Sequence, residues 1–132
     1  MKRGLIALLV LTLAIGSLGI VAYAATAKSK MVMITANGPS PKTATIGKGD
    51  TVIWLNTTSG TVSVFFAKGK DVEAVCAAPS RFALDPDGKY NAGNIPQGGT
   101  ASLCFIEAGK YRYDVTREGT AGGSMQGTIV VK

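Results

Sequence analysis

The sequence predicts an all-β domain of two packed sheets behind an N-terminal export segment. Beyond residue 30, short stretches rich in Val, Ile, Thr and aromatics alternate apolar and polar residues with a period of two. Gly, Pro, Asn and Asp punctuate these stretches at close intervals, and no helical apolar period continues past the N-terminal apolar run. About seven strands in roughly a hundred residues suit a β-sandwich or small barrel.

The elements follow in order. Met1-Lys2-Arg3-Gly4 is a short positive start, residues 5–23 are apolar and uncharged, and Ala22-Tyr23-Ala24 is a small-x-small pattern. This is the layout of a signal peptide over residues 1–24, with Ala25-Thr26-Ala27 as a second cleavage pattern. The apolar run is close to the ~20 residues that cross a bilayer, so an uncleaved membrane anchor is the alternative. A polar linker, residues 25–30, leads into the domain, residues 31–132. Strands are expected at 31–36, 43–46, 51–56 and 61–66, with turns at Asn37-Gly38-Pro39, Gly47-Lys48-Gly49-Asp50 and Thr57-Thr58-Ser59-Gly60. Residues 67–96 are the least regular and leave room for a short helix near 71–77. Three strands, 100–106, 110–116 and 127–131, close the domain.

Alternation orients the strands. Tyr111, Tyr113 and Val115 share one face, opposite Lys110, Arg112 and Asp114, and so face the core. Val62, Val64 and Phe66 fall together, as do Leu103 and Phe105. Trp54, the single tryptophan, sits beside Val52 as core packing. Met31 and Met33 also fit an inward face.

Composition excludes several functions. The net charge is +6, and removal of Lys2 and Arg3 with the signal leaves +4, scattered singly. No basic cluster with interleaved aromatics marks a nucleic-acid groove. The chain has no histidine. It also shows no nucleophile elbow and no phosphate-cradling glycine loop, so an enzyme is not expected. Cys76 and Cys104 in an exported chain predict a disulfide, which would stabilise the domain by roughly 3.5 kcal/mol in the loop-entropy model. Asp85-Pro86-Asp87-Gly88 reads as a turn, Asp114 and Glu118 as a solvated rim, and Asn56-Thr57-Thr58 as a turn whose glycosylation sequon is short enough to occur by chance.

Two motifs in order carry a family likeness. Gly49-Asp50-Thr51-Val52-Ile53-Trp54-Leu55-Asn56 and the tail from Gly109-Lys110-Tyr111-Arg112-Tyr113 to Gly127-Thr128-Ile129-Val130-Val131 resemble the cupredoxins, the plastocyanin- and amicyanin-like blue-copper proteins, over about residues 43–132. The resemblance implies a Greek-key β-sandwich of about seven strands. It also implies where copper ligands would stand, and there the chain departs from the pattern. The first histidine position falls on Val62, or on Ser63 if the gap is drawn one residue later. The thiolate position falls on Val115 and the second histidine position on Glu118; only methionine is kept, at Met125. A type 1 site needs a thiolate and two imidazoles.

The expectation is therefore an extracytoplasmic cupredoxin-fold domain, periplasmic, secreted or membrane-anchored, with no metal, no cofactor and a vestigial site at Val62, Val115, Glu118 and Met125. It would act as a non-redox binding or structural module, meeting a protein partner of the cell envelope, not nucleic acid, through loops 57–61 and 116–124. An exposed apolar patch beside Arg117 and Glu118 would form the contact. The alternative is a periplasmic copper carrier or electron-transfer protein using a non-standard set of Met31, Met33 and Met125 with a cysteine.

Overall fold

Residues 26–119 and 124–132 are described by the structure, a computed structural model. The expected signal segment, 1–24, and part of the final loop lie outside them. Among the described residues no helix is long and apolar enough to cross a membrane.

Strand β1 (Ser29–Thr35) buries Val32 and Ile34. Gly38, at φ +117°, a backbone conformation side chains rarely allow, closes a hairpin onto the short β2 (Gly38–Ser40). Strand β3 (Thr43–Ile46) buries Ala44 and Ile46. The turn after it is fixed by Asp50, whose carboxylate accepts the N–H of Gly47 at 2.8 Å and of Lys28 at 3.0 Å. These backbone bonds hold the Asp50 carboxyl below its ordinary range. Strand β4 (Thr51–Asn56) turns Val52, Trp54 and Asn56 inward, and β5 (Val62–Phe66) does the same with Val62, Val64 and Phe66.

The chain continues through α1 (Gly69–Val75), β6 (Cys76–Ser80), β7 (Ala83–Leu84), β8 (Tyr90–Ile95), β9 (Thr100–Phe105), β10 (Gly109–Arg117) and β11 (Met125–Val131). Two sheets result, ordered β2-β1-β4-β9-β6 and β3-β11-β10-β5-β8-β7. β1 lies parallel to β4, and β3 to β11, because the chain changes sheets between them. Apolar faces of both sheets meet around Trp54, whose ring packs on Phe66, Phe82 and Tyr113 at centroid distances of 6.1, 5.4 and 5.4 Å. The contacts with Phe66 and Tyr113 are edge-on and that with Phe82 is tilted, geometries that add specificity to the area buried. Trp54 Nε1 and the Tyr113 hydroxyl are buried without a hydrogen-bond partner. Burial pushes the Tyr113 phenol up to about 12, against a smaller downward influence of Trp54.

The all-β sandwich expected from sequence is the fold, with more strands than expected. The extra ones are β2 and β6 to β8, and most lie in the stretch read as irregular. Their alternation is broken: the β5–β8 register shifts between Val62 and Val64, and Asn94 takes φ +55°. The helix begins two residues earlier than expected. Met31 and Met33 face outward, since Val32 and Ile34 take the inward phase of β1.

The expected Cys76–Cys104 disulfide is not made, and both cysteines are free thiols. Strand register supplies the reason. Cys76 stands opposite Phe105, and Cys104 opposite Ala77, on the antiparallel β6–β9 ladder. Residues facing one another share a sheet face, so the two sulfurs fall on opposite faces. Cys76 packs on the core, whereas the Cys104 thiol reaches the Gly49 carbonyl at 3.4 Å. Burial, and secondarily the nearby Cys104, push the Cys76 thiol up to about 12.

Candidate functional site

Asn56 organises one end of the sandwich. It occupies an inward position at the end of β4 and is fully buried. Its Nδ2 donates to the carbonyls of Gly60 at 2.7 Å and Ile95 at 2.9 Å. Its Oδ1 accepts from the Thr58 N–H at 2.9 Å and the Thr58 hydroxyl at 2.7 Å. Both donors and both acceptor positions of this buried amide are thereby met, which is the condition for its burial. The effect is to fasten loop 57–61 to the end of β8. Thr57 fastens the same loop to β1, donating to the Ile34 carbonyl through its N–H at 3.0 Å and its hydroxyl at 2.7 Å.

The loop after β10 is clasped to this one. The Glu118 N–H donates to the Thr61 carbonyl at 2.9 Å, and Arg117 Nη2 to the Ser59 hydroxyl at 3.1 Å. Together these bonds hold two loops at one pole of the molecule.

Beneath them lie the positions singled out from sequence. Val62 and Val115 are 1% and 0% exposed. Val115 pairs with Val64 on one side and Met125 on the other, and Val62 stands opposite Arg117. Met125 is half-buried, packed on the core and over Gly38. The structure thus brings Val62, Val115 and Met125 to the inner surface of one pole. Glu118 does not join them: its side chain is exposed and only its backbone takes part in the clasp. Ser63, the alternative position, is half-buried opposite Thr116 in the outward phase of β5.

This donor set does not fit copper. Valine carries no lone pair, and a single thioether cannot hold a type 1 ion. Among the described residues no group of three or more His, Cys, Asp or Glu side chains could hold a metal ion. Nor is the thioether set assembled. Met31 and Met33 lie on the outer face of the sheet containing β1, while Met125 packs inward from the opposite sheet. Asp114 accepts the Ser124 hydroxyl at 3.0 Å. Asp85 closes its own turn by accepting the N–H groups of Asp87 and Lys89.

One expectation about this pole needs correction. Among the described residues no exposed large apolar side chain belongs to either loop: those exposed are Met31, Met33, Leu84 and Ile106. The valines are under the loops, and the loops present Thr57, Ser59, Thr116 and Glu118. The sequon is also closed to glycosylation in the folded chain, because the acceptor nitrogen of Asn56 is buried and donates twice. Asn56 as organiser was missed from sequence. Its signal was present: after Val52 and Trp54, a polar side chain falls at the next inward position of the strand.

No family model matches the sequence, and no curated protein matches it. Solved structures do match in shape. A reduced Cu(I) form of an amicyanin variant at pH 4 is 23% identical with a TM-score of 0.56, over 79% of this chain and 82% of that one. An oxidised amicyanin variant is 22% identical with a TM-score of 0.56, over 79% and 82%. A Cu(I) form of a third variant is 20% identical with a TM-score of 0.55 over the same shares. The chain has a cupredoxin-like fold, with no copper-binding group among its described residues.

Proposed function

We propose that this chain is an exported, non-redox cupredoxin-fold domain that serves as a binding or structural module outside the cytoplasmic membrane. The observation that carries this reading is the contrast within one pole. Its hydrogen-bonded frame, centred on Asn56, is complete, while the positions beneath it hold Val62 and Val115, packed at 1% and 0% exposure. Hydrocarbon there stabilises the core without a metal, each buried valine contributing on the order of 1.5–3 kcal/mol. Export is supported by the positive start, apolar run and Ala22-Tyr23-Ala24 pattern of the N-terminus. Among the described residues no metal-ligand group is present, and the role that suits such a domain is contact with a protein partner of the cell envelope.

Metal analysis and voltammetry of protein isolated from its own source test this reading. The expected result is substoichiometric copper and no reversible redox wave. A stoichiometric transition metal with a reversible wave would overturn it.

A further inference from the structure

Strand β10 outruns its neighbour. β5 pairs with it only from Val62 to Phe65, against Arg117 to Asp114. At Ala67 the chain leaves the sheet and enters α1. Between Gly109 and Tyr113 the β11 side of β10 stays paired, whereas on the other side no described strand continues the ladder.

Backbone phase tells which groups this leaves open. The N–H groups of Thr128 and Lys132 donate to the carbonyls of Lys42 and Ile46, on the β3 side of β11, at 2.9 and 3.0 Å. Gly127 and Ile129 therefore turn their groups to β10, and their partners Tyr113 and Tyr111 turn back to them. Lys110, Arg112 and Asp114 direct N–H and C=O the other way. The Glu118 N–H, in the same phase, reaches the Thr61 carbonyl at 2.9 Å, which confirms the direction. Asp114 meets Phe65 of β5; Lys110 and Arg112 meet no described strand.

What they face is a cleft of about 480 Å³ between β10 and the start of α1, within the usual range of ligand sites. Tyr111 contributes aromatic surface to it, with Phe66 and Tyr113 buried behind, and Lys68, Lys110 and Arg112 set a cationic rim against Asp71 and Asp114. Asp114 already accepts the Ser124 hydroxyl, and Arg112 commits one N–H to Gln126 Oε1 at 3.3 Å. Like charges at Lys110 and Arg112 discourage pairing with the same edge of a second copy.

We propose that this edge binds an acidic peptide segment in extended conformation, which adds as a strand beside residues 110–112. The segment's backbone completes the ladder at Lys110 and Arg112, its carboxylates meet the lysine and arginine rim, and an apolar side chain rests on Tyr111. The inference rests on the binding-module reading and names the partner chemistry of a site away from the loop pole.

The test is amide NMR of the ¹⁵N-labelled full chain with three capped six-residue peptides. One alternates glutamate and valine, one carries lysine for glutamate, and one is the acidic peptide N-methylated at alternate residues. The acidic peptide should shift the Lys110 and Arg112 amides and slow their exchange. Reversing its charge or methylating its backbone should each weaken binding by about tenfold or more. Lys68→Glu and Lys110→Glu, both at exposed positions, should weaken it similarly with the thermal midpoint unchanged. Equal binding of all three peptides, or no response at Lys110 and Arg112, would overturn the inference. A chain that ignores the peptides yet also stays free of copper would sink this inference alone and leave the broader reading standing.

Discussion

The ring of Tyr113 lies across the Cα of Gly127, its directly opposed partner on the β10–β11 ladder. A side chain at 127 would overlap the phenol, so the glycine is what lets the ring reach Trp54 and Phe66 in the core. Gly127→Ala should therefore destabilise the domain by about 2–3 kcal/mol through overpacking. Urea unfolding measures this. The cost should shrink in a Tyr113→Leu background, and an unchanged cost there would mean that the ring is not the obstacle.

Removing the Asn56 side chain strands the Ile95 carbonyl and the Thr58 N–H, and leaves the Gly60 carbonyl only the Thr58 hydroxyl at 3.0 Å. Asn56→Ala should cost about 3 kcal/mol, counting roughly 1 kcal/mol for each lost bond. The loss should show first as faster amide exchange across residues 57–61. Stability within a few tenths of a kcal/mol of the parent would contradict the role given to this residue.

Stability should fall in alkali. Burial raises the Cys76 thiol from 9.0 and the Tyr113 phenol from 10.0, each to about 12 in the folded chain. The unfolded chain loses these protons first, so the contribution of both groups is complete below about pH 9 and is lost as pH rises toward 12. Tyr113→Phe and Cys76→Ala should each flatten that decline in urea titrations run from pH 8 upward. If neither variant changes the slope, these groups are not its source.

Opposite-face placement predicts two free thiols. Protein purified without reductant and then denatured should react at both Cys76 and Cys104, and in the native state at pH 8 Cys76 should alkylate far more slowly than in urea. Recovery of no thiol after denaturation would contradict the register of β6 on β9.

The sandwich was legible because period-two alternation is a direct imprint of a half-buried strand: Val62, Val64 and Phe66, and Tyr113 with Val115, are buried as their phases require. The positions Val62, Val115 and Met125 converge for the same reason. What sequence hid was set by register between distant strands. Cys76 and Cys104 looked like a bridge from compartment alone, and only the pairing of β6 with β9 separates them. β8 was hidden by the bulge at Gly93-Asn94, which breaks the alternation between Ala92 and Ile95. Phe82 was hidden because it enters the core from a turn between two short strands. Glu118 was placed by motif spacing, whereas its backbone bond to Thr61 fixes the side chain on the rim.

The most direct test of the central claim is Cu(II) titration of the purified chain, followed by visible absorption. Hydrocarbon at Val62 and Val115 predicts no intense charge-transfer band and no stoichiometric retention of copper after desalting. A blue product holding one copper per chain would contradict it.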